Sequence, residues 1–298
     1  MAYELGRILE RDFGFRAIAV ATANDDAGVG THVYDLPMPI VSQAEMLGQA
    51  TRDDVVIVNP SFSDKLFGWR TPAFKICYVQ AFHTYPLLDL KLDHFVAVSD
   101  FIADYLRALY GLSTRVIPPF INLDRLPPPL PWRERPEGVV LAYCKGMPGV
   151  WRLSYQRLRE AVAQRAPEIK LAEPIPGALV PQREFLSKLA AVRYFLTLSA
   201  AEGFGLVPLE AMALGTVVIG YDGYGGRQYM RAGENCAVAP YPDIDRVIEL
   251  LIEVVRSPEI SLAMSLKGQK TAAKFGYEAF RSAWVEEFRR VLPPAGGR

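Results

Sequence analysis

The feature that most constrains this chain is the stretch from Arg193 to Asp222. Residues 192–198 form a short apolar run rich in β-branched, aromatic and leucine side chains, the pattern of a buried strand. A turn built on Gly203 and Gly205 follows. Residues 206–214 then read as a helix stopped by Gly215, and residues 216–220 as a second apolar strand. Strand, glycine turn, short helix, strand is the repeating unit of a parallel α/β sheet. In such sheets ligands gather outside the carboxyl ends of the strands, where helix N-termini also point. Glu202 lies in the loop at that strand tip and Glu210 about one turn into the helix, with seven residues between them. Both carboxylates can therefore face one crevice. Glu210 interrupts an otherwise apolar helix, and a carboxylate in such surroundings needs a partner. The plainer alternative makes Glu202 a solvated loop acid and Glu210 an exposed helical residue.

The run EGFGLVPLE from Glu202 to Glu210, continued by AMALG up to Gly215, resembles the E-x7-E signature of retaining GT-B glycosyltransferases of the family 4 kind, the glycosyl transferases group 1. The resemblance implies an α/β fold of two Rossmann-like domains whose parallel sheets face each other across a cleft. It implies a nucleotide-sugar site in the C-terminal domain, where Glu202 touches the donor sugar hydroxyls and Glu210 the ribose diol. The chemistry of the residues agrees in kind. A carboxylate accepts two hydrogen bonds from neighbouring hydroxyls. Free amides of Phe204, Gly205 and Leu206 at the helix start can take a phosphate. Gly203 and Gly205 let the backbone approach a ligand closely.

A chain of 298 residues has room for two ordinary domains or one large one. Half its residues are apolar and 22% are charged, a globular composition. Lys plus Arg and Asp plus Glu stand at 33 each, which argues against a protein that coats nucleic acid. Cys77, Cys144 and Cys236 are widely spaced and odd in number, so they read as buried thiols in a reducing compartment. No run reaches transmembrane length and no signal peptide is visible. The expected location is the cytoplasm, with peripheral contact at the inner face of the membrane left open.

Along the chain, residues 1–13 read as a helix and 15–22 as a strand. Residues 24–30 form a loop whose Asp25 and Asp26 are solvated turn residues. Relatives open with a strand and a glycine-rich loop ahead of the first helix, so the resemblance implies an N-terminal domain without its first strand. A helix over 42–49 and strands over 54–59, 73–80 and 95–98 follow. His83 stands just past a strand end, a position that carries chemistry in open α/β sheets. The resemblance assigns it to the donor sugar, and a structural bond to a loop carbonyl is the alternative. His32 and His94 have no such positional argument. Ser99 caps a helix over 100–109, and the following strand at 114–118 closes an N-terminal domain of residues 1–120. Five prolines between 127 and 136 read as a stiff linker.

The expected second domain covers residues 121–275, and residues 276–298 form a helix that returns to the first domain. A strand over 138–143 exits into a loop, 144–152, ahead of a helix over 153–166. Relatives hold a basic pair in this loop facing the diphosphate, and Lys145 and Arg152 are the matching residues. Positive charge belongs where a diphosphate leaves, although solvated loop cations would look the same. Residues 169–172 read as a strand, and 182–191, 243–255 and 260–274 as helices. After Asp222 comes Gly223-Tyr-Gly-Gly226, where Gly226 offers a backbone amide or simply flexibility. Tyr229 occupies the place of a glutamate in relatives.

Together these features suggest a retaining glycosyltransferase moving a sugar from a UDP- or GDP-linked donor to a saccharide or lipid-linked acceptor. No obligatory metal or other cofactor is expected, since no carboxylate pair at a strand end suits one. A glycosidase does not fit, because carboxylates that grip sugar and ribose within one domain are not a flanking acid/base pair. The alternative is a non-catalytic GT-B-like chain that binds nucleotide sugar or serves as a subunit of a glycosyltransferase complex.

Overall fold

The computed structural model describes residues 2–21, 38–82, 84–144, 148–176 and 181–292. The loop with Asp25 and Asp26, and His32, lie outside the described residues. Backbone contacts divide the chain into two compact units. The first comprises Met1–Val98, Ile102–Ile117 and Phe280–Arg298, the second Ser99–Phe101 and Pro118–Ala279.

The first unit opens with helix α1 (Ala2–Phe13), which buries Leu5, Ile8 and Leu9 at helical spacing. Its exit is tied back to it. The Phe15 N–H donates to the Leu9 carbonyl at 3.2 Å, and the Ala17 N–H to Glu10 Oε1 at 3.4 Å. Those bonds commit the residues after α1 to a helix exit, so strand β1 (Ala19–Ala21) starts at Ala19 rather than at the expected residue 15. It pairs in parallel with β2 (Ile40–Ser42). Ser42 then caps α2 (Gln43–Gln49), its hydroxyl accepting from the Glu45 N–H. A second sheet follows: β3 (Val55–Val58), helix α3 (Phe67–Arg70), β4 (Phe74–Val79), β5 (His94–Ala97), helix α4 (Asp100–Tyr110) and β6 (Arg115–Val116). Its strands lie in the order β3-β4-β5-β6, all parallel.

The second unit contains β7 (Val139–Cys144), α5 (Pro148–Arg165), β8 (Lys170–Leu171), β9 (Ile175–Pro176), α6 (Gln182–Ala190), β10 (Tyr194–Thr197), α7 (Leu206–Ala213), β11 (Val217–Tyr221), β12 (Ala237–Ala239), α8 (Ile244–Val255) and α9 (Pro258–Ala272). The parallel sheet runs β12-β11-β10-β7-β8, with β9 also on β7. One face, with Val140, Leu196 and Ile219, packs against Leu158 of α5 and Leu251 of α8. Phe195, on the opposite face, meets Phe185 of α6. A sheet covered on both faces reads as continuous apolar runs, which is why these strands were visible in the sequence. Helix α5 corrects one expectation by starting at Pro148, five residues ahead of 153. Proline suits the first turn, where its missing N–H has no intrahelical partner anyway. Trp151 then fixes the helix start, its Nε1–H donating to the Tyr143 carbonyl at 3.1 Å.

The last helix, α10 (Tyr277–Val291), belongs to the first unit from Phe280 onward. Trp284 is fully buried and meets Tyr78 edge to face at 5.1 Å, while Phe288 meets Phe13 at 5.7 Å. Glu287 is also fully buried. Its carboxylate accepts from His94 Nε2 at 2.7 Å, Arg115 Nη1 at 3.1 Å and Arg290 Nη2 at 2.6 Å. Burial pushes this carboxyl up, but the bonds from Arg290, His94 and Arg115 outweigh it and leave its pKa below the ordinary value.

The proline-rich segment near the start of the second unit holds an anchor. Arg135 is buried, and its guanidinium donates to the carbonyls of Leu130 (2.8 Å), Val192 (2.9 Å), Gly215 (3.2 Å) and Leu214 (2.7 Å). Leu214 and Gly215 end helix α7, whose last carbonyls have no intrahelical partner, so a cation caps the helix there. Burial, and then the charge of Arg193, lower the Arg135 pKa, yet it remains a cation at neutral pH.

Arg135→Met keeps most of the apolar stem and removes the cap. It is expected to cost about 3 kcal/mol in urea unfolding, because it strips charged donors from buried carbonyls. A loss well under 1 kcal/mol would show that the carbonyls find other donors. Glu287→Gln tests the buried carboxylate, with an expected cost of about 3 kcal/mol near neutrality. The folded pKa is depressed, so the ionised form stabilises the fold above the ordinary value of 4.5, and that stability is lost as pH falls through the folded value. The gap in Tm between wild type and variant should therefore shrink on acidification below pH 4.5, and a constant gap would contradict the assignment.

Candidate functional site

Two loops at the carboxyl ends of β10 and β11 are stitched together in the second unit. The Glu202 N–H donates to the Gly223 carbonyl at 2.8 Å, and Glu202 bridges to Tyr224. Gly225 packs directly on the first loop. A Cβ there would lie 2.5 Å from the Glu202 carbonyl oxygen and from the Gly203 backbone, so only glycine fits. Gly205, at the cap of α7, has φ +85°, the left-handed region that glycine adopts without strain.

Glu202 and Glu210 are both half-buried. Glu210 lies at the start of the second turn of α7, and its Oε1 accepts from Gln182 Nε2 at 3.0 Å. Tyr229 anchors the turn between the two carboxylates. This side chain is buried between Phe204 (5.2 Å) and Phe275 (5.9 Å), and its hydroxyl donates to the Gly205 carbonyl. Burial pushes the Tyr229 phenol well above its usual pKa, and the charges of Cys236, Glu202 and Glu210 add to the effect. Tyr229 stays a neutral donor at physiological pH.

Helix α7 starts with Leu206, Val207 and Pro208. The N–H groups of Leu206 and Val207 have no intrahelical acceptor, and Pro208 has none to satisfy. Among the described residues no acceptor is bonded to the N–H of Phe204, Gly205 or Leu206. The turn therefore offers backbone donors beside two carboxylates, a combination suited to a ligand with phosphates and vicinal hydroxyls. The Gly203 carbonyl faces inward, accepting from Ser99 Oγ at 2.6 Å.

The second loop is fixed from within. Asp222 accepts from the Tyr224 N–H at 3.0 Å and from Arg227 Nε at 2.7 Å, and the Arg227 guanidinium lies 4.5 Å over the Tyr224 ring. Gly226 does not present a free amide, since its N–H donates to the Asp222 carbonyl at 3.1 Å.

Of the remaining candidates, Arg152 is not in a loop. It is exposed on α5, a consequence of the early start at Pro148. His83 and Lys145 lie outside the described residues. Sequence reasoning missed Gln182 and the anchoring role of Tyr229. Gln182 carried no signal, whereas Tyr229 was marked as a tyrosine in a glutamate's place. Among the described residues no group of three or more His, Cys, Asp and Glu side chains could hold a metal ion.

This fold of parallel sheets is that of the GT-B glycosyltransferases. Anabaena HepE, solved in complex with UDP and glucose, aligns with a TM-score of 0.76 at 13% identity, covering 97% of this chain and 96% of that one. A glycosyltransferase from Rickettsia africae aligns with a TM-score of 0.71 at 13% identity, covering 99% and 95%. Within the fold, residues 180–271 match the sequence model of the family described as glycosyl transferases group 1, a segment that holds both glutamates. The D-inositol 3-phosphate glycosyltransferase of Frankia alni is 30% identical over 115 residues, which span 39% of this chain and 28% of that relative. Among the described residues no helix is long and apolar enough to cross a membrane.

Tyr229→Phe tests the anchor. It removes one hydrogen bond and keeps the ring, so unfolding should cost about 1 kcal/mol less than in the wild type. Amide exchange is expected to quicken at residues 204–206 while β11 stays protected. Unchanged exchange in the glycine turn would mean that Tyr229 does not hold it.

Proposed function

We propose that this chain is a glycosyltransferase that takes a nucleotide-sugar donor in its second unit. The observation that carries the reading is the glycine turn at the start of α7, where the Tyr229 hydroxyl takes the Gly205 carbonyl, the Phe204, Gly205 and Leu206 amides have no bonded acceptor among the described residues, and Glu202 and Glu210 flank the turn in the chain. The match over residues 180–271 and the UDP complex of the HepE structure support the same assignment. In this reading Glu210 accepts from the ribose diol, with Gln182 holding its other edge, and Glu202 accepts from the donor sugar. The amides at the start of α7 stabilise charge on the diphosphate. Arg152 is too exposed to be a fixed phosphate ligand, so Lys145 is the proposed basic residue at the diphosphate and His83 the proposed residue at the sugar.

The proposed transfer is retaining. The anomeric carbon loses its bond to the phosphate oxygen and gains one to the acceptor oxygen on the same face, and the acceptor proton passes to the departing phosphate. A saccharide or lipid-linked hydroxyl serves as acceptor, and the site of action is the cytoplasm. The buried free thiols Cys77 and Cys236 fit a reducing compartment.

The division of labour between the glutamates gives the test. Glu210→Gln keeps shape and one acceptor but loses the charge that ribose hydroxyls favour. Charge-assisted bonds contribute about 1.5–3 kcal/mol, so UDP or GDP affinity should fall roughly 10- to 100-fold in calorimetric titration. Glu202→Gln should leave diphosphate affinity nearly unchanged and lower turnover of the intact donor. Equal loss of diphosphate affinity in both variants would refute the assigned roles. No loss in either would place the nucleotide elsewhere.

A further inference from the structure

A cavity of about 430 Å³ lies wholly within the second unit, between the segment after Gln228 and the carboxyl end of α9. Arg231 and Glu234 line it from that segment, and Lys267, Lys270 and Lys274 from α9 and the turn that extends it. Among the described residues the lining thus sets four cations against one carboxylate. Glu202, Glu210 and residues 204–206 are not part of it.

Neighbouring side chains do not account for this charge. Exposed cations elsewhere on the unit sit on carboxylates: Arg157 on Asp245, Lys188 on Glu184 and Arg256 on Glu168. Arg231, Lys267, Lys270 and Lys274 are also exposed, yet among the described residues none of them forms an ion pair. The three lysines recur at three- and four-residue spacing, so they share one helix face, where like charges repel. The helix dipole favours a cation in the last turn, which accounts for Lys270. It does not account for Lys267, a turn earlier, or for Arg231, on a different segment.

The cavity is braced from beneath. Asn235 is buried, and its Nδ2 donates to the Tyr229 carbonyl at 2.9 Å and to Thr271 Oγ1 at 3.0 Å. Its Oδ1 accepts from the Arg231 N–H at 2.7 Å, so one side chain ties the two walls together. Thr271 Oγ1 donates in turn to the Lys267 carbonyl at 3.0 Å. The Arg231 Nη1–H donates to the carbonyls of Arg227 at 2.8 Å and Met230 at 2.9 Å, which holds the guanidinium in place. Cations set on a fixed frame lose less freedom when a ligand arrives.

We propose that this cavity binds a small molecule carrying two phosphate groups. A phosphate monoester holds about 1.5 to 2 negative charges at neutral pH. Four cations against one carboxylate therefore match two such groups better than one. The lysines meet phosphate as point charges, and the arginine fork takes two oxygens at once. The rest of the volume leaves the organic part of the ligand beside the half-buried Phe275. The cations line a hollow, which suits a ligand that enters it rather than a membrane surface laid across it. This inference does not rest on the nucleotide reading of the glycine turn.

The test titrates the 298-residue chain with inorganic pyrophosphate. Amide resonances are expected to shift at residues 231–235 and 267–275. Calorimetry should show affinity falling about tenfold or more in the triple variant Lys267→Gln, Lys270→Gln, Lys274→Gln. The three side chains are exposed and repel one another, so the Tm of that variant should hold or rise, and lost binding cannot come from unfolding. Three results would overturn the proposal: no binding of pyrophosphate, unchanged affinity in the triple variant, or shifts confined to residues 204–206, which would assign the phosphates to the glycine turn. Sedimentation with vesicles containing phosphatidic acid separates the sources. Vesicle binding that the triple variant loses, without any binding of pyrophosphate, would assign the cations to a lipid surface and reject the soluble ligand.

Discussion

The second unit depends on a buried cation that, among the described residues, is bonded to carbonyls and to no carboxylate. Arg135 gathers carbonyls from three parts of the chain: the proline-rich segment, Val192 two residues before β10, and the end of α7. An ion in a low-dielectric interior is costly unless its donors are used, and here the guanidinium fork is matched by backbone carbonyls, two of which, Val192 and Gly215, it shares with the hydroxyls of Thr216 and Ser265. The effect reaches the candidate site through α7. The arginine fixes the carboxyl end of that helix, and the glycine turn lies at its amino end, eight residues away. A helix held at one end by charge presents its other end in a defined place.

At that other end the geometry rests on close backbone approach more than on side-chain reach. Gly225 lets one loop lie against the other with no room for a methyl group, and the Glu202 N–H closes the seam. Tyr229 then takes the Gly205 carbonyl, so the turn's acceptors point into the protein. The N–H groups at the start of α7 are the proposed donors to a phosphate. Rigidity of this kind pre-organises donors and avoids an ordering cost on binding.

The parallel α/β class was legible because strands covered on both faces leave unbroken apolar runs, and because glycines punctuate them. Local signals failed where long-range contacts decided the outcome. Pro148 and Gly149 look like loop residues, yet Trp151 docks on the end of β7 and draws the helix start forward. Residues 15–18 look like strand, yet they are bonded back to α1. Arg135 sat in a segment read as a linker, and its partners lie 57 and 80 positions away, beyond any periodicity. At the candidate site the spacing of Glu202 and Glu210 was visible at once. The anchor of the turn between them was not, because Tyr229 reaches Gly205 across 24 residues.

Glu287 has a consequence for the order in which the chain can acquire structure. Its hydrogen-bond partners are His94 and Arg115, some 193 and 172 residues earlier, and Arg290, three residues later. The apolar contacts of Trp284 and Phe288 reach back equally far, to Tyr78 and Phe13. During vectorial synthesis the first unit emerges early with these partners missing, and His94 and Arg115 wait without their carboxylate until α10 has left the ribosome. Domains generally fold as their sequence appears. Here the second unit, continuous from Pro118 to Ala279 apart from three residues, can consolidate while the older one is still open. The half of the protein translated first is the half that finishes last.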